Sequence, residues 1–441
     1  MKNRSTVLAV ILTLLLFQFK LLLAQKGETD TIKTQRMQWF ADAKLGIFIH
    51  WGIYAVNGVS ESWSFHNGEV AYDAYMKQLD GFTAAKYQPH EWSKLIKESG
   101  ARYAVLTAKH HDGVALWNSK AGGINVVKNT PAKRDLIKPF TDALRKDNIK
   151  VGLYFSLIDW SYSNYDKFTK TETRYTNDST RWKKFLTYYR TQLNEITQNY
   201  KPDLYWFDGD WEHTAEEWQA KEVKEEIMIK NPAAIVNSRL AGYGDYDTPE
   251  QGVPVFKPKA MYWELCLTTN DNWGYRPSDT SYKSVNQVID IFVDCLSKGG
   301  NLLLDIGPRA DGTIDERQAS ILKGLGNWVN KNSTAVYGTI AGIPLEYTNS
   351  PTSLSADSTI LYLYIKGYPG EAVYLKGIIN EVKSASIVYT GLKLKAKVIG
   401  KLWWSSVPGI IRIELPVNCC DKDVTVIAIK LNDKIRLWGN K

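Results

Sequence analysis

The segment PDLYWFDGDWEH, residues 202–213, is an apolar run that ends in alternating acids and tryptophans: Asp208, Asp210 and Glu212 stand beside Trp206 and Trp211. Unpaired carboxylates next to apolar surface are costly, so charges kept at the end of such a run point to a use for them. The pattern recurs elsewhere in the chain. Other apolar runs end in His50 and Trp51, in His110, His111 and Asp112, in Tyr154 through Asp159 and Trp160, in Arg239, and in Trp263 and Glu264. One histidine at a strand end is an ordinary structural residue, but several runs ending alike indicate a site. Carboxylates among Trp, Tyr, His and Arg suit a sugar, because aromatic faces cover the apolar patches of the ring and polar groups hydrogen-bond its hydroxyls. Two carboxylates then provide for glycoside hydrolysis, one attacking or stabilising the sugar cation and one protonating the leaving oxygen.

Competing chemistries find less support. TAKHHDG sets His110 and His111 together, but adjacent strand residues face opposite ways and no second His-rich segment supplies further ligands, so neither a metal nor another cofactor is expected. No G-x-S-x-G elbow is present for serine chemistry. Cys266, Cys295, Cys419 and Cys420 lack metal-ligand spacing and are read as buried thiols, with one pairing left open.

The elements that must position these residues are visible as alternation. From about residue 30 to 340, strand-length runs such as AKLGIFIHWG, ARYAVLTAKHHDG, IKVGLYFSLIDW, PDLYWFDGD, AAIVNSR, MYWELC and GGNLLLDIGP alternate with helical segments. In residues 180–200, for example, Trp182, Phe185, Leu186, Tyr189, Leu193 and Ile196 share one helical face. Continuous apolar strands with helical crossovers imply a parallel sheet covered on both faces. This many repeats favour a TIM-like (β/α)8 barrel over an open doubly wound sheet, and no Gly-rich dinucleotide fingerprint follows an early strand. After Pro344 the helical period gives way to short alternating runs, which predicts a C-terminal all-β sandwich. The expected division is 1–24 signal peptide, 25–344 barrel and 345–441 β-sandwich.

The N-terminal segment MKNRSTVLAVILTLLLFQFKLLLA has a basic start and an apolar run, and reads as an export signal cut after Ala24. A transmembrane anchor is the alternative, disfavoured by Lys20 within the span. Removing residues 1–24 takes Lys2, Arg4 and Lys20 and no acid from a formal charge of +8, leaving +5. The bases are scattered among acids, so a nucleic-acid partner is not expected. Export is expected, to the periplasm in preference to secretion beyond the cell, without stable membrane insertion once the signal is removed.

GIFIHWGIY, TAKHHDGVALW, GLYFSLIDW, LYWFDGDW, VNSR, GDYDTPEQ, YWELC followed by NWGY, and GGNLLLDIGP occur in the order and approximate spacing of the α-L-fucosidases of glycoside hydrolase family 29, which the chain resembles over roughly residues 35–340. The resemblance implies a retaining hydrolase acting on terminal α-linked L-fucose of glycans, with Asp208 as nucleophile. It implies Glu250 as acid/base, with Glu264 as the rival candidate, and His50, His110, His111, Tyr154, Arg239 and Trp273 as sugar-binding residues, with Trp63 and Trp211 beside them. Trp206 is expected to pack the strand end, and Asp210 and Glu212 to be loop acids. Many relatives carry Gly-Glu-Trp where this chain reads Ser60-Glu61-Ser62-Trp63, which leaves the role of Glu61 open. The other readings weighed are a retaining glycosidase for another sugar, such as a galactoside, and a glycan-binding protein without catalysis. For the β-module, Trp403 and Trp404 suggest glycan capture, against which packing on the barrel is the preferred role.

Overall fold

The computed structural model describes residues 30–439, and the expected signal segment lies outside them. The apolar runs form β1 (Leu45–Ile49), β2 (Tyr103–Lys109), β3 (Lys150–Ser156), β4 (Leu204–Asp208), β5 (Ile235–Val236), β6 (Glu264–Thr268) and β7 (Asn301–Ile306). They pair in parallel in the order β5-β4-β3-β2-β1-β7-β6. Every residue of these strands except Lys150 is buried, as a parallel sheet covered on both faces requires. The longer helices among them are α1 (Asp30–Ala43), α2 (Pro89–Glu98), α3 (Ile137–Lys146), α4 (Ser179–Tyr200), α5 (Ala220–Lys230), α6 (Val285–Ser297) and α7 (Glu316–Lys331).

Residues 245–251 fill the gap between β5 and β6 through parallel bridges of Asn237 with Tyr246, Asp247 with Trp263, and Glu250 with Cys266. Pro249 cannot donate to a ladder, and here only its carbonyl is used, accepting from Cys266 N at 3.1 Å. This irregular stave closes the curled sheet into the expected barrel.

Strand alternation separates two apolar clusters. Phe48, Tyr103, Val105, Leu204, Trp206, Cys266 and Leu303 fill the barrel interior, where Met37 and Phe40 of α1 join them. Ile47, Ile49, Ala104, Leu106, Tyr205 and Phe207 point outward into the cluster shared with the surrounding helices. Two expectations are corrected here. The strand in MYWELC begins at Glu264 instead of ending there. On α4 the buried stripe is rotated: Tyr188, Gln192, Thr197 and Tyr200 join Phe185, Tyr189, Leu193 and Ile196, while Trp182 and Leu186 are only half-buried. Aromatic and polar residues that find partners in the interior override the simple apolar count.

The C-terminal strands form a six-stranded sheet, β13-β12-β16-β10-β9-β8, and a three-stranded sheet, β11-β15-β14. Their ranges are β8 (Ile340–Ala341), β9 (Thr352–Leu354), β10 (Ile360–Lys366), β11 (Ala372–Lys376), β12 (Val382–Ile387), β13 (Lys393–Leu394), β14 (Ala396–Ile399), β15 (Ile410–Glu414) and β16 (Val424–Leu431). Leu361, Leu363 and Ile365 of β10 pack with Leu375, Ile411 and Ile413 between the two sheets. The alternate residues Tyr362 and Tyr364 join the barrel's cluster instead. Trp328 of α7 donates to Val424 O at 2.8 Å and Tyr364 donates to Ala335 O at 2.6 Å across this contact. The six-stranded sheet thus faces the barrel helices, and the three-stranded sheet lies on the far side of the module.

Candidate active site

The inward-facing series of each strand dictates what reaches the C-terminal end of the barrel. On β4 the series runs Leu204, Trp206, Asp208; after β1 it passes from Phe48 to His50; on β7 it passes from Leu303 to Asp305. Asp208 is the last residue of β4, followed by Gly209 at φ 87°, where a Cβ would stand 2.6 Å from Ile158 Cγ1. Only glycine makes that turn without strain, and the turn holds Asp208 at the strand end. Tyr154 donates to Asp208 Oδ2 at 2.9 Å and Arg239 Nη1 donates to Oδ1 at 3.0 Å. Burial, with Asp208 nearby, raises the Tyr154 phenol well above its usual range, so it remains a donor.

Arg239 joins two carboxyl groups. Its Nη2 donates to Glu250 Oε2 at 2.7 Å, its Nε donates to Thr248 Oγ1 at 3.2 Å, and its guanidinium lies 4.6 Å over the Trp206 ring. Burial opposes its charge, but the anionic neighbours, Asp208 first, together raise its pKa. Glu250 reaches this position because the irregular stave is in register with β6 at Cys266. Its side chain is 41% exposed, whereas that of Asp208 is 11% exposed, so water has ready access to one carboxyl group and little to the other.

Three histidines complete the floor. Burial lowers all three imidazoles well below the usual value, with His110 adding to the effect at His50, His111 at His110, and His66 at His111. His50 Nδ1 lies 2.7 Å from Asp305 Oδ1. Burial and then Glu61 push the Asp305 carboxyl well above its usual range. His110 Nδ1 is 2.6 Å from Ser62 Oγ. Ser156 donates to Ile158 O at 2.7 Å and therefore accepts from His111 Nδ1 at 2.6 Å. That tautomer leaves His111 Nε2 with a lone pair; it is buried without a hydrogen-bond partner, 3.5 Å from Asp208 Oδ2.

These groups enclose a cavity of about 140 Å³ with Phe48 and Trp206 in its wall and Trp63, Trp211 and Trp273 around it. Trp63 stacks on Trp211 at 6.1 Å and 18°, and Trp273 tilts over His50 at 4.9 Å. His50, Trp63, His110, Tyr154, Asp208, Trp211, Arg239, Glu250 and Trp273 all line this one cavity, and His111 stands beside them. Glu264 does not line it. Fully buried at the start of β6, it accepts from Trp206 Nε1 at 3.1 Å and from the Tyr103 hydroxyl, and burial raises its carboxyl to about 7.

The loop acids hold the chain after β4. Asp210 accepts from Ala241 N at 2.9 Å, and Glu212 accepts from Trp160 Nε1 at 3.3 Å and from the Tyr165 hydroxyl. Glu61 is buried behind the pocket, accepting from Gly274 N at 2.5 Å next to Trp273, and burial raises it to about 7. All four cysteines carry free thiols, and only Cys420 is not buried.

Phe48, Ser62, Ser156, Thr248 and Asp305 contribute to the site without having been singled out in the sequence. Asp305 left a signal, as an acid interrupting the apolar run GGNLLLDIGP near its end. The serines and Thr248 left none, because their roles depend on which side chain faces them.

A barrel that presents two carboxyl groups, joined by an arginine, to an aromatic-walled pocket defines the chain as a glycoside hydrolase. A family model described as Alpha-L-fucosidase matches residues 23–334. Tissue alpha-L-fucosidase of Macaca fascicularis is 31% identical over 407 residues, covering 84% of this chain and 82% of that protein. Alpha-L-fucosidase isoenzyme 1 from Paenibacillus thiaminolyticus superposes with a TM-score of 0.83 at 31% identity, covering 91% of this chain and 100% of that one. A family 29 alpha-L-fucosidase from Bacteroides thetaiotaomicron, solved as a trapped covalent intermediate in complex with 2-fluoro-fucosyl fluoride, superposes at 0.80 with 28% identity, covering 90% and 96%. The chain belongs to the alpha-L-fucosidase family, glycoside hydrolase family 29.

Proposed function

We propose that the chain hydrolyses terminal α-linked L-fucose from oligosaccharides or glycoconjugates with net retention, using Asp208 as nucleophile and Glu250 as acid/base. The observation that carries this reading is the shared arginine: Arg239 holds Asp208 inside the pocket and Glu250 at its more exposed edge. In the first step an Asp208 oxygen bonds to the anomeric carbon as the glycosidic C–O bond breaks, and Glu250 gives its proton to the departing oxygen. In the second, Glu250 takes a proton from water, whose oxygen attacks the anomeric carbon and returns Asp208 as a free carboxylate. Tyr154 and Arg239 orient Asp208, and Arg239 stabilises the charge on both carboxylates.

The free lone pair of His111 Nε2 accepts a sugar hydroxyl, and the His50 ring, held by Asp305 through Nδ1, lines the same cavity. Aromatic groups around the pocket meet the ring's apolar patches and methyl group. The small cavity suits one terminal sugar, hence exo-cleavage. Glu264, tied beneath Trp206, lacks the access to a leaving oxygen that Glu250 has. Parallel assays on aryl α-L-fucoside and its galactoside and xyloside counterparts test the reading: turnover of the fucoside is expected, and activity confined to another sugar overturns it.

The same reading assigns export, with the periplasm as destination, supported by the basic and apolar start of the chain, and a division between barrel and β-module at 344/345, supported by the change of sequence period there, with β8 of the module's sheet lying just ahead of it. A mature protein beginning at Gln25 is the expected product.

A further inference from the structure

The loop 400–409, GKLWWSSVPG, joins β14 to β15 on the three-stranded sheet and carries the most exposed aromatic residues of the C-terminal module. Trp403 is 96% and Trp404 68% exposed, and Leu402, Val407 and the adjoining Val398 are exposed with them. Neither tryptophan serves the packing of the module on the barrel, which runs through the opposite sheet. Strand register carries the surface onward: Lys376, Ile410 and Ile399 form one cross-strand row beside the loop, and Tyr374, Arg412 and Lys397 form another.

The charge around this apolar tip is predominantly basic. Residues 382–413 hold no acid, amide or histidine side chain, and the loop and its own sheet carry Lys376, Lys395, Lys397, Lys401 and Arg412, against which Glu414 pairs with Arg412 and, at 3.8 Å, with Lys397. A sugar-binding platform pairs an aromatic face with groups such as Asp, Asn, Gln or Glu that fix hydroxyl directions, and this segment offers none. A second copy meeting this face through a two-fold axis would set base against base. Exposed Trp, Leu and Val bordered by lysines are instead what enters the headgroup layer of an anionic bilayer, with indoles at the interface and ammonium groups reaching lipid phosphates.

We propose that the loop 400–409 docks the enzyme on an anionic lipid surface, with Leu402, Trp403, Trp404 and Val407 entering the interface and the neighbouring lysines supplying the attraction. This contact lays the C-terminal module on the membrane surface.

The test is sedimentation of the full chain with phosphatidylglycerol–phosphatidylcholine vesicles and with phosphatidylcholine vesicles. The comparison is between wild type, Trp403→Ser/Trp404→Ser and Lys395→Glu/Lys401→Glu. The N-terminal apolar run is common to all three proteins, so differences belong to the loop. Unchanged melting and unchanged aryl fucoside turnover show that the fold is intact. Both double variants should lose partition to the anionic vesicles by at least about tenfold, and wild type should lose it by a similar factor on raising salt. Absence of wild-type binding, or equal binding by the tryptophan variant, overturns the proposal. So does a variant phenotype seen instead as loss of a dimer in light scattering, or as loss of retention on an insoluble fucosylated glycan.

Discussion

Trp206 Nε1 donates to Glu264 Oε1 at 3.1 Å, so this glutamate is fastened to the underside of the pocket wall. Burial raises its carboxyl from 4.5 to about 7. Between those values the folded state holds a proton that the unfolded chain releases, so stability present below pH 4.5 is lost as pH rises through about 7. A glutamine there can still accept from Trp206 and donate to Tyr103. Glu264→Gln should therefore flatten the fall in stability between pH 5 and 8, gaining on the order of 3 kcal/mol over wild type across that range. Buried Glu61, also raised to about 7, keeps its own share of the slope. Thermal melts of both proteins at the two pH values measure the difference, and parallel curves would show that Glu264 is ionised throughout.

Glu250→Ala should cripple hydrolysis of substrates with poor leaving groups, by roughly 10²–10⁴-fold, while the first step survives on activated aryl fucosides, whose phenolate departs unaided. Azide should restore turnover by attacking the glycosyl-enzyme, giving a β-fucosyl azide. Glu264→Ala should show neither the leaving-group dependence nor the rescue. Azide rescue at Glu264, with uniform loss at Glu250, would exchange the two roles.

Arg239→Lys keeps a positive charge but cannot reach Asp208 and Glu250 through separate nitrogens of one planar group. We expect kcat/KM to fall about 100-fold or more, with melting changed little, as measured by steady-state kinetics beside circular dichroism. A loss under threefold would mean that the two carboxyl groups need no common anchor.

The barrel and the residues lining its pocket were largely legible in the sequence, because β1 and β4 are apolar at every step until the inward series reaches a polar residue. His50 and Asp208 stand out for that reason, and Arg239 as the charge that closes the run AAIVNSR. Glu264 was harder to place: the sequence showed a glutamate at an apolar run, but not that β6 begins at that residue, which moves its side chain to the barrel's lower layers. The irregular stave 245–251 was equally obscure, since its pairing consists of isolated bridges around Pro249 and has no strand period. Ser62 and Ser156, which fix the histidine rings, come from segments whose convergence is purely tertiary. On the β-module, alternation in β10 revealed a two-faced strand, whereas the exposure of Trp403 and Trp404 required the loop's position.

The central claim is that Asp208 becomes covalently bonded to the sugar. Incubation with 2-fluoro-fucosyl fluoride, followed by proteolysis and mass spectrometry, tests it most directly. The account predicts one 2-fluoro-fucosyl adduct on the peptide containing Asp208, and no adduct in Asp208→Ala. A label on Glu250, Glu264 or any other residue, or inhibition without a covalent adduct, would contradict it.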